Sequence, residues 1–174
     1  KFMIEKNQRV FGVDPGSRKT GFGIIDLNNN KPFYVTSGVI KSLKGDFPER
    51  LEAIFKSVSS LIDEYQPKVI VIESVFVHKN AGSALKLGHA RAAALCASFD
   101  RGIEVFEYAP REIKKAIVGN GAATKEQVQH MVTAILDLSV KPSEDAADAI
   151  AAALCYSNHR NLTNSLKKIK VSGR

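Results

Sequence analysis

The stretch KVIVIESV, residues 68–75, decides how the chain folds. It is a nearly continuous β-branched run, the pattern of a strand covered on both faces rather than one half-exposed to solvent. The segments that follow agree with a place inside a sheet. AGSALKLGHARAAALCASF (81–99) carries apolar residues at helical spacing, and GIEVFEY (102–108) is again strand-like. Strand, helix and strand make a βαβ unit, whose crossover is expected to be right-handed. Within the first strand, Glu73 stands out among Val and Ile. A buried carboxylate without a partner or a metal ion is expensive, so its position points to function.

Upstream, RVFGVD (9–14), GFGIIDL (21–27) and FYVTSGVI (33–40) are short apolar segments separated by PGSRKT and NNNK turns. Connections this short imply antiparallel neighbours, a three-strand meander. DFPERLEAIFKSVSSLIDEYQ (46–66) then reads as an amphipathic helix, with Leu51, Ile54, Phe55, Val58, Leu61 and Ile62 on one side. Asp46 is its predicted N-cap, with Pro48 in the first turn and Glu49 completing a capping box. Downstream come a short helix at 110–118, the loop VGNGAAT, and a helix that Thr124 and Gln127 open and that runs to about Leu138. A last helix is predicted over 143–158. With no internal repeat and no linker, one domain is expected over 9–158, followed by a basic, flexible C-terminal tail, 159–174. The order β-β-β-α-β-α-β-α-α describes an α/β fold: a five-stranded mixed sheet with helices on both faces. That is the ribonuclease H-like layout, in which the first and fourth strands are central neighbours.

The 174 residues are 44% hydrophobic, enough for one real core. No apolar run approaches the ~18 residues of a membrane span. Cys96 and Cys155 lie in alanine-rich helical patterns, where buried thiols are expected rather than a disulfide, in keeping with a reducing cytoplasm. The net charge of +7 suggests nucleic acid, yet Arg160, Lys167, Lys168, Lys170 and Arg174 carry much of it; without these five, 20 basic residues face 18 acidic ones. The tail is open to two readings, a DNA-contacting arm or a solvated end.

Asp14 ends the first strand and Glu73 the fourth. On central strands about 4.8 Å apart, both can face the crevice at the strand C-termini, where open α/β sheets place their ligands. In SEDAADAIAAAL (143–154), Asp145 and Asp148 stand at i and i+3 and share a helix face. The surrounding alanines let that helix lie close to its support. Four carboxylates in one pocket would repel, leaving several protonated. Divalent cations remove the conflict: hard oxygens suit Mg²⁺ or Mn²⁺, and two ions ~3.5–4 Å apart can clamp the attacking water and the leaving oxygen of a phosphodiester. Plainer readings stay open for two of the acids. Asp145 in a first helical turn is favoured by the helix dipole alone, and Asp14 in VDPG is also an ordinary turn residue. Asp148, deeper among alanines, would be a costly unpaired charge.

Five segments in order, GVDPGSRKTGFG (12–23), VIESVF (71–76) with KN close behind, SALKLGHAR (83–91), VGNG with TKEQVQHMV (118–132) and EDAADAIAAAL (144–154), resemble the RuvC family of Holliday-junction resolvases. The resemblance spans about residues 9–158. It implies a ribonuclease H-like fold, a homodimer, and Mg²⁺-dependent nicking of two opposed strands of a four-way DNA junction in recombination and repair. It also implies cooperation with the branch-migration proteins RuvA and RuvB. It carries the catalytic, metal-binding acids onto Asp14, Glu73, Asp145 and Asp148; some relatives have His at the third position, where this chain has Asp. It matches Phe76 to an aromatic that wedges into the opened junction, and Lys114 and Lys125 to lysines that meet DNA near the site. Ala92 departs from the Gly of many relatives, and the tail after Asn158 matches no family pattern.

Bland readings stand beside these. Phe76 alone would be a core residue, and exposed lysines are the default on helices. His78, His89, His130 and His159 lack metal-ligand spacing, and GSRKTG lacks the ending of a P-loop. Ala81, Ala84, Leu85, Gly88, Ala92 and Leu95 form a small apolar stripe that could serve a dimer or pack on its own sheet. An actin- or sugar-kinase-like ATPase would need two such halves, about twice this length. A non-catalytic junction-binding module would need no metal, and four intact acids argue against it; the related short family of resolvases acting on RNA lacks the Phe76 stretch and the paired helix aspartates in this form.

Overall fold

Strand β1 (Asn7–Asp14) is the axis of the fold. It pairs antiparallel with β2 (Lys19–Asn28) and parallel with β4 (Val69–Glu73). Strand β3 (Lys31–Lys41) extends the sheet beyond β2, and β5 (Glu104–Tyr108) extends it beyond β4, giving the order β3-β2-β1-β4-β5. This is the mixed sheet expected from the sequence. The structure, a computed structural model, describes residues 7–29, 31–42, 44–74 and 80–172, with side chains described as far as residue 161.

Helices cover both faces. On one, α1 (Phe47–Tyr65) and α2 (Ala81–Cys96) bury Ile54, Val58, Ile62, Ala90 and Ala94 against Phe11, Val13, Ile70 and Ile72 of the central strands. On the other, α3 (Pro110–Val118), α4 (Lys125–Ile135) and α5 (Glu144–Ser172) pack on Val10, Val69 and Val71. Residues 69–72 alternate between two apolar layers and are all fully buried, which is why the stretch reads as a continuous β-branched run.

The capping boxes form as predicted. The Asp46 carboxylate accepts from the Glu49 N–H at 3.1 Å while the Glu49 carboxylate accepts from the Asp46 N–H at 3.0 Å. Thr124 and Gln127 exchange the same pair of bonds at 2.9 and 3.3 Å, fixing where α4 begins. Three helix ends differ from expectation. Helix α4 stops at Ile135 rather than about Leu138, because Asp137 turns left-handed at φ 50°. The second helix stops at Cys96 rather than 99, where the Ser98 hydroxyl donates to the Leu95 carbonyl at 2.7 Å and competes with the helical ladder. The last helix does not stop at 158. It runs on through Ser172, because no Gly or Pro interrupts the chain before Gly173, so the basic segment continues the helix.

The stripe on α2 divides. Leu95 packs toward the core, whereas Ala92 is exposed and Leu85 keeps 65% of its surface open. Cys155 is buried and Cys96 is exposed, so only one of the two thiols meets the burial expectation; both are free.

Candidate active site

Strand alternation sets the site. Along β1, Val10 faces α5 while Phe11 and Val13 face α1 and α2, so Gly12 and Asp14 emerge on the α5 side. The same alternation on β4 sends Glu73 to the side of Val69 and Val71. Val13 pairs with Ile72, which sets Asp14 and Glu73 side by side one step further, at the C-terminal edge of both strands. Neighbouring bonds hold the chain there. The Ser74 N–H and hydroxyl both donate to the Tyr108 carbonyl, at 2.9 and 3.2 Å. The buried Thr20 hydroxyl donates to the Gly16 carbonyl at 3.0 Å, and the Ser42 N–H donates to Arg18 O at 3.0 Å, closing the turn behind Asp14.

Helix α5 reaches these acids because the sheet beneath it has no side chains there. Gly12 pairs with Gly23, and Asp14 with Gly21, so three glycines share the α5 face. A Cβ at Gly12 would stand 1.9 Å from the Ala149 carbonyl oxygen, at Gly21 1.9 Å from that of Asp145, and at Gly23 2.4 Å from the Ile150 side chain. The fit is backbone on backbone, matched from above by alanines 146, 147, 149 and 151–153, all buried. The entry to α5 is tied to α4 where Gln129 donates to the Pro142 carbonyl at 3.0 Å.

The helix thereby brings Asp145 and Asp148 over the strand ends, and the carboxylates sense one another. Burial, then Glu73, Asp148 and Asp145, push the Asp14 carboxyl up to about 8. Burial and Asp148 push Glu73 up to about 7, against the lowering pull of Lys114 and Lys125. Asp148 is likewise raised, by burial first, with Lys125 and Lys114 opposing. Two unit charges about 4 Å apart repel by about 4 kcal/mol at an effective dielectric of about 20, so protons or cations must enter such a cluster. Lys125 supplies one positive charge: its Nζ lies 3.4 Å from Glu144 and 3.7 Å from Asp148. Burial disfavours that charge, but Asp148, Glu144 and Asp14 outweigh it and raise the lysine.

All four acids of the sequence analysis therefore meet at one sheet edge, with Lys125 in contact and Lys114 within electrostatic reach. Phe76 lies outside the described residues. Among the described residues no three acidic, His or Cys side chains already close on one point that could hold an ion. The donor set nonetheless suits a hard cation: carboxylate oxygens only, on rigid elements, with more negative charge than one lysine balances. Sequence reasoning missed Glu144, the second partner of Lys125, and the glycine trio. Glycines alternating within a strand are a readable signal of close backbone approach, and 21–23 carries it.

A sheet of this order, with acids ending its two central strands and a helix laying two more across them, defines a ribonuclease H-like domain with a site of four carboxylates. The profile described as Crossover junction endodeoxyribonuclease RuvC matches residues 10–156. A relative of that name from Hydrogenovibrio crunogenus is 52% identical, over 93% of this chain and 94% of its own. Another, from Methylococcus capsulatus, is 47% identical over 92% of this chain and 97% of its own. Thermus thermophilus RuvC in complex with Holliday junction substrate superimposes with a TM-score of 0.83 at 31% identity, covering 90% of this chain and 96% of that one. The chain belongs to the RuvC family of crossover junction endodeoxyribonucleases.

Proposed function

We propose that this protein resolves four-way DNA junctions by hydrolysing phosphodiesters in two opposed strands, with Asp14, Glu73, Asp145 and Asp148 as its catalytic, metal-holding acids. The observation that carries the reading is the convergence of these acids, from two central strands and one helix, with Asp14 raised to about 8 by burial and its acidic neighbours and Glu73 to about 7 by burial and Asp148. Bound among them, Mg²⁺, with Mn²⁺ as a substitute and two ions to a site, would supply an activated water at neutral pH and stabilise charge on the leaving oxygen.

The chain's own residues do the rest. Asp14 and Glu73, on strands paired on both sides, hold fixed positions, while α5 sets the height of Asp145 and Asp148. Asp14 and Glu73, raised in the metal-free protein, would hold the cation as carboxylates. Lys125, beside Asp148, and Lys114 would face the backbone phosphates of the DNA. Replacing either lysine with Ala should lower the slope of log affinity against log salt for junction binding by about 0.9, the value of one neutralised phosphate. A salt slope unchanged in both variants would remove them from the DNA interface.

Phe76 is proposed as the wedge that stacks on unpaired bases. Phe76→Ala should then weaken cleavage of intact junctions by the ~1–3 kcal/mol of one base–aromatic stack and leave the melting temperature nearly unchanged. A large fall in melting temperature would instead mark a core residue.

Two equivalent strands call for two sites, which a two-fold homodimer supplies. The outward side of α2, with Leu85 65% exposed and, among the described residues, nothing beyond the helix itself within 4 Å of a Cβ built at Gly88, supports a contact there. Leu85→Asp should shift the free protein to monomer in sedimentation, and on a plasmid cruciform it should yield singly nicked circles where wild type yields linear product. A monomeric wild-type protein giving only nicked circles would defeat the paired-site mechanism. In the cytoplasm, RuvA and RuvB would be the partners that present the junction, testable by co-sedimentation with junctions carrying them. Among the described residues no helix is long and apolar enough to cross a membrane.

A further inference from the structure

The glycine trio does more than admit a helix. Resting on the proposed metal-holding role of the acids, we infer that Gly21 is a positioning residue that sets the height of Asp145 over the strand ends and thereby tunes the site to Mg²⁺.

The contact is between main chains. The Cβ position of Gly21 lies 1.9 Å from the Asp145 carbonyl oxygen, 2.4 Å from its carbonyl carbon and 3.2 Å from its Cα. Gly21 is also the strand partner of Asp14, so one residue touches the backbone of one proposed ligand and pairs with another. Its φ lies outside the positive range, so an alanine there meets no backbone penalty, only the helix above it. To admit a methyl group the contact must open from 1.9 Å to at least 3.0 Å.

The helix must give way, because the strand cannot. β2 is hydrogen-bonded to β1 on one side and β3 on the other through this region. The first turn of α5 has no such ladder and is held by side-chain contacts, the Gln129 bond to Pro142, the Lys125 bridges to Glu144 and Asp148, and the packing of Ala146 and Ala147. Raising that turn carries Asp145 away from Asp14 and Glu73. Mg²⁺ demands near-ideal octahedral ligands at about 2.0–2.1 Å, while Ca²⁺ accepts about 2.3–2.6 Å in adaptable geometry. A displaced ligand therefore penalises Mg²⁺ more than Ca²⁺. Gly12 and Gly23 seat the next turn against Ala149 and Ile150 and support the same height.

The test is calorimetric titration of the metal-free protein with MgCl₂ and, separately, CaCl₂. Gly21→Ala should lose about 10–100-fold in Mg²⁺ affinity, the range for residues that orient metal ligands, and no more than about threefold in Ca²⁺ affinity. Gly38→Ala is the matched control: its Cβ would press the Phe22 ring at 2.9 Å, on the sheet face away from α5. It should lower thermal stability and keep the wild-type ratio of the two affinities. If Gly21→Ala does not fold, Gly23→Ala combined with Ile150→Ala decides. That pair removes the 2.4 Å side-chain clash and leaves backbone approaches of 2.9 and 3.0 Å, a smaller lift with a smaller shift in the same direction. An unchanged affinity ratio in the folded variant, or equal loss of both ions, overturns the inference. Wild-type protein that binds neither ion, or an Asp148→Asn variant that binds both as wild type does, overturns the metal-site reading instead.

Discussion

Asp148→Asn protein is expected to bind a four-way junction as wild type does and to cut it at least about 10²–10³-fold more slowly, the loss typical of removing one preorganised charge from an active site. Asparagine preserves the volume of the side chain, which is only 21% exposed and sits beside Lys125. Lys125 keeps its second partner, Glu144, so the surroundings survive the change. What disappears is a negative charge from a cluster whose members already raise one another. Asp14→Asn and Glu73→Gln should behave alike. Gel-shift affinities beside single-turnover cleavage rates separate the two effects. Near-normal nicking by any of these variants would take that residue out of the chemistry.

The same cluster governs stability without metal. Metal-free protein should lose stability as pH rises from about 5 to about 8, and Asp14→Asn should remove most of the loss. In the unfolded chain Asp14 ionises near 3.8 and Glu73 near 4.5; in the fold they are pushed up to about 8 and about 7. Between those limits the folded form holds protons that the unfolded chain has released, so each rise in pH favours unfolding. The stabilisation is complete below about pH 4 and is lost as pH climbs through the folded values. Both acids are only partly buried and they titrate together, so we expect roughly 2–3 kcal/mol over the interval, or about 5–10 °C for a chain of this size. Mg²⁺ should restore the loss at pH 8 and do little at pH 5. Scanning calorimetry across this range, with and without Mg²⁺, reads it directly. A flat metal-free profile would mean that the acids do not crowd one another. With the expected falling profile, the Asp14→Asn protein is more stable than wild type at pH 8 and inactive, the sign of a site held together against its own charge.

Much of this was legible from residue type and spacing. The β-branched run at 69–72 announces burial on both faces, and Glu73 at its end announces a cost that function must justify. Alternation then fixes the side to which Asp14 and Glu73 point. The helix ends were less legible, because they turn on single bonds such as Ser98 to Leu95 and on the absence of a breaker between 158 and 172. The pairing of Lys125 with Glu144 depends on how α4 and α5 converge, which no spacing encodes. Glycines 12, 21 and 23 were visible as residues but not as a seat, since their meaning requires the register that pairs Gly12 with Gly23 beneath Ala149 and Ile150. The division of the α2 stripe between Leu95 inside and Leu85 outside also follows from packing against α1 and the sheet, which the helical period alone leaves open.

The most direct test places a synthetic four-way junction beside a linear duplex of the same sequence, each incubated with wild-type protein in the presence and absence of Mg²⁺. Four acids joined into one metal-holding site in a junction-specific nuclease should give symmetric nicks in two opposed strands of the junction, only with the cation, and leave the duplex intact. Equal cutting of the linear duplex, or cutting of the junction in a chelator, would contradict that claim.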